Sequence, residues 1–265
     1  MPVTTAYAFD NQAAQAPSRL GALEAAYDPI TIARIGEIDL PPGARCWEVG
    51  AGGGSIAHHL ATLVRPTGGR VLATDLELAL TSPAEGLELR QHDLRGSLPS
   101  EDRYDLVHAR LVLGHIPERH EILAKLVDAV APGGWLLIEE FDATSLQRPL
   151  TTPTFRDAEI IDRVVDLTQQ LLIASGADPA WGTEAHAAMA AVGLTDVHTR
   201  EHAESWSGGS AGARLMALNT VQLRPRLLAA GATEAELDRV GALLTDPAVA
   251  VTSWRLVSTR GRRAA

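Results

Sequence analysis

Three carboxylates and a run of glycines are the residues in this chain best suited to hold a ligand. The stretch Cys46-Trp47-Glu48-Val49-Gly50-Ala51-Gly52-Gly53-Gly54-Ser55 passes from an apolar run through a glycine loop into a helical pattern. Glycines at such a junction let a ligand approach the backbone closely, and the helix start that follows presents free N–H groups. Two nucleotide readings fit poorly. The dinucleotide fingerprint needs Gly or Ala at its sixth position, where this chain has Ser55, and no Gly-Lys-Ser/Thr follows for a phosphate loop. Glu48 would repel a pyrophosphate and suits a ligand carrying positive charge and N–H donors. Asp75 closes the run Val71-Leu72-Ala73-Thr74-Asp75, at the spacing of a carboxylate that accepts both hydroxyls of a ribose. Asp93, in Arg90-Gln91-His92-Asp93-Leu94, ends a third run, where it could accept from an adenine amino group.

These residues need strand ends to stand on. Short apolar runs at Arg45–Val49, Arg70–Thr74, Leu87–Gln91, Tyr104–His108 and Gly134–Glu140 alternate with helical stretches such as Ser55–Val64 and Pro117–Val130. That alternation predicts an α/β fold: a doubly wound parallel sheet with helices on both faces, binding ligands at the carboxyl ends of its strands. Ahead of it, residues 10–40 read as a helical arm, broken at Asp28-Pro29 and resumed over Ile30–Ile38. After it, helices are expected at Thr154–Ala174, Gly182–Ala191, Ala211–Ala230 and Thr233–Leu244, with strands at Val197–Trp206 and Val249–Thr259. Thr233 and Glu236 form the pattern of a capping box. The whole reads as one domain over 1–265: arm 1–40, cofactor-binding core 41–147, then sheet completion over 148–265 with a helical lid at about 205–247.

Composition narrows the function. Net charge is −10, with 23 basic against 33 acidic side chains, which argues against a phosphate-backbone binder. Lys125 is the only lysine, and Arg260-Gly261-Arg262-Arg263 reads as a solvated basic tail. Cys46 is the only cysteine, so neither an internal disulfide nor a cysteine zinc site is expected. No apolar run approaches a membrane span, and Met1-Pro2-Val3-Thr4-Thr5 lacks the pattern of a signal peptide. A cytoplasmic protein with no nucleic-acid or membrane partner is expected, and a homodimer is compatible with it. Metal sites fare no better: adjacent His58 and His59 point about 100° apart on a helix, and His198 and His202 lie roughly 13 Å apart on a strand.

The ordered segments Glu48–Gly54, Ala73-Thr74-Asp75, His92-Asp93-Leu94, Tyr104–Arg110 and Ala131–Glu140 resemble the motifs of class I S-adenosylmethionine-dependent methyltransferases. The likeness is dense across residues 44–142 and looser through Gly208-Gly209-Ser210, Gln222-Leu223-Arg224 and Gly261-Arg262-Arg263. Gly182-Thr183-Glu184-Ala185-His186 departs from it by lacking a basic pair. The resemblance is to small-molecule enzymes common in actinobacterial natural-product pathways. It implies a Rossmann-like, seven-stranded sheet with the last strand antiparallel. It also implies Glu48 near the methionine amine, Gly50 and Gly52 under the cofactor, and Asp75 on the ribose with Leu76 beside it. Asp93 and Leu94 would then lie at the adenine and Arg110 by the methionine carboxylate. The cofactor would be S-adenosylmethionine, leaving as S-adenosylhomocysteine, with no metal.

A sulfonium methyl is already activated, so transfer needs an in-line nucleophile and a base only where the acceptor must lose a proton. His115, in Leu113-Gly114-His115-Ile116-Pro117, is the first candidate base, and Glu140, at the end of the fifth run, is the second. Tyr27 and Trp206 could wall an aromatic acceptor. The expected reaction is methyl transfer to an O, N or C centre of a small, aromatic secondary metabolite. Two alternatives stay open: a methyltransferase-like protein that catalyses a cyclisation without methylating, and a nicotinamide oxidoreductase, which Ser55, Glu48 and Asp93 disfavour.

Overall fold

Side chains alternate across a strand, so a run buried on both sides must serve two cores. The computed structural model, which describes residues 8–9 and 12–265, shows this along β1 (Arg45–Val49), β4 (Tyr104–Arg110) and β5 (Val130–Asp142). On one face Cys46, Leu106 and Leu137 pack with Ile35, Ile56 and Leu60. On the other, Trp47, Val107, Ala109, Leu136 and Ile138 pack with Ile122, Leu123, Trp181 and Met189. The helices that cover them include α1 (Ala16–Ile35), α2 (Ser55–Val64), α3 (Arg119–Ala129) and α5 (Trp181–Ala191).

With β2 (Arg70–Asp75), β3 (Leu87–Gln91), β7 (Thr195–His202) and β10 (Arg255–Arg262), the sheet has seven strands in the order β3-β2-β1-β4-β5-β10-β7. Strands β1 to β5 pair in parallel. The chain's last strand, β10, is antiparallel, and just beyond it the Gly133 and Arg263 amides bond Arg263 and Gly134 across the edge. This is the Rossmann-like, doubly wound α/β sheet that the alternation of runs and helices implies. Strand order reverses between β1 and β4, so their carboxyl ends flank the crevice where such sheets bind ligands.

The described residues fall into two compact units. The sheet unit comprises Asp28–Phe141, Ala180–Glu201 and Leu256–Ala265. The other takes Asp142–Pro179, His202–Arg255 and the chain before Asp28. In that second unit α4 (Phe155–Ala174) packs on α6 (Ala211–Ala229) and α7 (Glu234–Leu243), and Thr233 and Glu236 close the expected capping box. A small sheet, β6 (Pro149–Thr151), β9 (Ala250–Thr252) and β8 (Ser205–Ser207), completes it.

Four local expectations change. The arm is one helix through Pro29 rather than two, and its expected start at residues 10–11 lies outside the described residues. A proline inside a helix forfeits a backbone bond, but Asp28 and Thr31 on either side of it are held by Arg110. The run Val197–Trp206 divides into β7 and β8, and Val249–Thr259 into β9 and β10. Both divisions fall at one place, where Ser253 N–H donates to the Glu204 carbonyl and Glu204 N–H to the Ser253 hydroxyl. The arginine tail is structured too: Arg260 and Arg262 flank the Trp135 ring, and Arg263 donates to the carbonyls of Val127, Asp128 and Val130. A cation there suits the negative end of α3.

Candidate active site

The β1–α2 loop turns through left-handed backbone at Gly50, Gly52 and Gly54 (φ 69°, 55° and 90°), which side-chain-bearing residues rarely adopt. A Cβ on Gly50 would also lie 2.4 Å from the Val112 side chain across the crevice. Asp75 ties this loop to β2: its Oδ2 accepts from Gly52 N–H (2.8 Å) and its Oδ1 from Glu77 N–H (3.1 Å). Thr81 donates its hydroxyl to the Gly52 carbonyl, and Trp47 its indole N–H to Thr74. Each carboxylate oxygen can accept more than one bond, so Asp75 keeps acceptor capacity for hydroxyls. Leu76, beside it, is 54 % exposed, an apolar surface at a strand tip that a flat heterocycle could cover.

At the tip of β3 the side chain of Asp93 is paired with Arg95, which holds the carboxyl below its usual range chiefly through that hydrogen bond. Leu94 packs against the core beneath it, and the His92 ring meets Trp47 edge-on. Glu48, Gly50, Gly52, Asp75, Leu76, Asp93 and Leu94 thus occupy successive strand ends along one edge of the sheet.

Behind Glu48 lies a buried chain of charges absent from the sequence expectations. Registers pair Glu48 with His108 and Arg110 with Glu139, putting all four on one sheet face. His108 Nδ1 is 2.6 Å from Glu48 Oε2, and its Nε2 is 3.5 Å from Glu139 Oε2, an ion-pair distance rather than a tight hydrogen bond. Thr31 donates to the same Glu139 oxygen. Arg110 donates to Thr31 (2.9 Å) and pairs with Asp28 (2.8 Å). Burial alone would lower the His108 pKa, but the charges of Glu48 and Glu139 push it up to about 9. Burial likewise works to raise Glu139, while His108, Thr31 and Arg110 hold it below its ordinary value. His108 ended the run Tyr104–His108 with no role assigned to it, and its pairing shows only once β1 and β4 are in register.

The loop after β4 carries His115. Leu111 there has left-handed backbone (φ 57°), uncommon for a leucine. Three successive amides, of Val112, Leu113 and Gly114, donate to one oxygen of Glu140 at 3.1, 2.7 and 3.2 Å. Burial pushes the Glu140 carboxyl up to about 7 against the pull of those amides. Its geometry is that of a loop anchor, with one oxygen already filled by three donors. His115 itself is half-buried at the end of the short 3₁₀ turn Leu113–His115. Tyr27 and Trp206 belong to the second unit, where they meet edge-on (5.9 Å) and Trp206 meets Trp254 (6.0 Å). Both are buried, Tyr27 donating to the Trp254 carbonyl and Trp206 to Glu204. Among the described residues no cluster of three His, Cys, Asp or Glu side chains is placed to hold a metal, and no helix is long and apolar enough to cross a membrane.

An open sheet with a glycine loop at its switch point defines a Rossmann-like nucleotide-binding fold. Within that class, the family described as "methyltransferase domain" matches residues 24–202, so the chain belongs to the methyltransferase-domain family, whose methyl donor is S-adenosylmethionine. It is 31 % identical over 167 residues to methyltransferase str2 of Strobilurus tenacellus, covering 62 % of this chain and 58 % of that protein. It is 28 % identical over 107 residues to trans-aconitate 2-methyltransferase of Mycobacterium tuberculosis, 40 % of each chain. The chain thus spans little more than half of the first relative and two fifths of the second. Two solved structures share the fold. The YcgJ protein of Bacillus subtilis has a TM-score of 0.58 at 12 % identity, covering 90 % of this chain and 100 % of that one. Phosphoethanolamine N-methyltransferase 2 of Haemonchus contortus, solved with phosphomonomethylethanolamine and S-adenosylhomocysteine, has a TM-score of 0.59 at 13 % identity, covering 100 % of this chain and 61 % of that one. Family membership displaces the nicotinamide oxidoreductase reading.

Proposed function

We propose that this chain transfers a methyl group from S-adenosylmethionine to an O, N or C nucleophile of a small metabolite. The observation that carries the reading is Glu48 ahead of three left-handed glycines at the switch point, with Asp75 at the next strand tip. Glu139 Oε1, buried without a hydrogen-bond partner among the described residues, fits an N–H donor at the same strand ends. When bound, the cofactor supplies a methyl on a sulfonium. The protein's part is to hold it: Glu48 at the amino group, Asp75 with Leu76 at the ribose, Asp93 and Leu94 at the adenine, and Arg110 at the carboxylate end.

A small acceptor is supported by the net charge of −10 and by a relative named for trans-aconitate. The natural-product setting stays within the proposal, since the relatives are fungal and bacterial. Tyr27 and Trp206 are each other's partners, so an aromatic acceptor draws no support from them. His115 is the proposed proton acceptor, and Glu140 the group that fixes its loop.

Calorimetry with S-adenosylhomocysteine, with NAD as the control, tests the reading. The protein is expected to bind the first and not the second. Asp75→Ala removes charge-assisted hydrogen bonds worth roughly 1.5–3 kcal/mol each and should weaken binding at least about tenfold. Unchanged affinity in that variant would sink the cofactor assignment. His115→Gln should lower turnover ~10²-fold while leaving cofactor affinity intact, and flatten a rate that otherwise rises with pH as imidazole becomes neutral. A loss under about threefold at every pH would make His115 structural.

A further inference from the structure

His108 faces a carboxylate with each ring nitrogen, Glu48 at Nδ1 and Glu139 at Nε2. Carboxylates only accept, whereas a neutral imidazole turns a lone pair outward from one of its nitrogens. A neutral ring would therefore point that lone pair at one of two buried negative charges. The arrangement calls for both nitrogens to carry protons. His108 and Glu139 are 0 % exposed and Glu48 is 3 % exposed, so water does little to screen the interaction.

The charges around this ring do not cancel. Three carboxylates, Glu48 on β1, Glu139 on β5 and Asp28 on α1, meet two cations, His108 and Arg110 on β4, leaving one negative charge unmatched. The other polar group packed on the cluster is the Thr31 hydroxyl, which is neutral. A buried, unmatched charge is costly unless a counter-ion completes it. Glu139 Oε1 and His108 Nε2 are both buried without a hydrogen-bond partner among the described residues, so hydrogen bonding at this end of the cluster is incomplete.

We infer that His108 is a positioning residue for cofactor binding: as an imidazolium hydrogen-bonded to Glu48 and at ion-pair distance from Glu139, it keeps both carboxylates ionised and aims Glu48, with the cluster's one net negative charge, at the cofactor's ammonium group, while the cofactor's carboxylate lies toward Arg110. This rests on the methyltransferase reading above and assigns a role to a side chain that need not touch the cofactor. Glu48 alone would offer a carboxylate free to rotate beside a second, repelling one. With His108 between them, both are held apart and a single net charge faces the ligand.

Two measurements test it near neutral pH. In the full chain with ¹⁵N-labelled histidine, the His108 ring signals, assigned by their loss in His108→Asn, are expected to show both nitrogens protonated and to shift on adding S-adenosylhomocysteine. A neutral ring, or a ring indifferent to S-adenosylhomocysteine, overturns the inference. In calorimetry, His108→Asn leaves Glu48 and Glu139 as unshielded like charges, so that one takes up a proton or turns away, and S-adenosylhomocysteine binding should weaken at least about tenfold. Adding Glu139→Gln removes that repulsion, leaves Glu48 ionised, and should recover most of that loss. A merely structural histidine predicts the reverse, a double variant no better than the single one, and that result, or His108→Asn binding within about twofold of the parent, rejects the role. If His108→Asn does not fold, the state of the parent ring decides, with the assignment made from Glu48→Gln, which should shift that ring alone. If the parent itself fails to bind S-adenosylhomocysteine, the methyltransferase reading falls, while the protonation of His108 in the free protein still reads true or false.

Discussion

Glu139 and Glu140 are neighbours at the end of β5, yet they sit on opposite faces of the sheet and meet opposite chemistry. Both are buried, at 0 % and 3 % exposure. Glu139 looks toward His108, Thr31 and Arg110, and stays ionised below its ordinary range. Glu140 looks toward the loop after β4, where three backbone amides meet one of its oxygens and burial carries it up to about 7. Amides are dipoles, and three of them offset the loss of water less fully than a facing cation does. Residue type and burial are the same on the two faces. What differs is whether the partner carries a full charge, and that alone separates a charge-cluster residue from a loop anchor.

The comparison can be broken most severely on the Glu139 side. His108→Ala removes the cation between Glu48 and Glu139 and leaves two buried carboxylates facing each other without a counter-charge. Breaking such a pair costs about 3–5 kcal/mol, far more than an ordinary surface change. Urea unfolding should show the midpoint fall accordingly. A loss below about 1 kcal/mol would mean that water reaches the cluster and that His108 is not held as drawn.

On the opposite face the test is a slope. Glu140 has its folded pKa raised from 4.5 to about 7, so between those values the folded protein holds a proton that the unfolded chain releases. Stability should therefore fall as pH rises through that window, by on the order of 3 kcal/mol in all. Glu140→Gln keeps an oxygen for the three amides and removes the titration, so its stability relative to the parent should climb from pH 5 to 8. His108, raised from 6.5 to about 9, contributes stability below 6.5 that is lost as pH rises toward 9. That contribution is common to parent and variant, so the difference between them isolates Glu140. A difference that stays flat with pH would show that Glu140 titrates near its ordinary value.

How much of this was legible in the sequence follows from the same contrast. Apolar runs and glycines are local signals, so β1, β3 and α2 fall at the residues expected, and Glu48, Asp75 and Asp93 stand at or just past the carboxyl ends of β1, β2 and β3. The charge cluster is not local. His108 pairs with Glu48 sixty residues away, a relation set by strand register and invisible to any window along the chain. Pro29 misled for a related reason: helix propensity is a local preference, and the ties from Arg110 to Asp28 and Thr31 are long-range contacts that override it. The splitting of two late strands at Ser253 and Glu204 is likewise a pairing between distant segments, with no signal in either run alone.

The mildest probe sharpens the Glu140 face without touching its charge. Gly114 lies in the anchored turn, and a Cβ added there would come within 3.0 Å of Glu140 Oε2 and 3.7 Å of the Trp181 ring. The carboxylate cannot swing aside cheaply, because its other oxygen is held by the amides of Val112, Leu113 and Gly114 itself. Trp181 is fully buried and offers no room behind it. Gly114→Ala should therefore destabilise by about 1 kcal/mol, the low end for overpacking one methyl group. Because the methyl also displaces polar surroundings from the carboxylate, the stability decline assigned to Glu140 should move to higher pH in this variant. Combining Gly114→Ala with Glu140→Gln should abolish that pH effect while keeping the steric cost. If Gly114→Ala is neutral at every pH, the loop has slack, and Glu140 does not fix the position of His115.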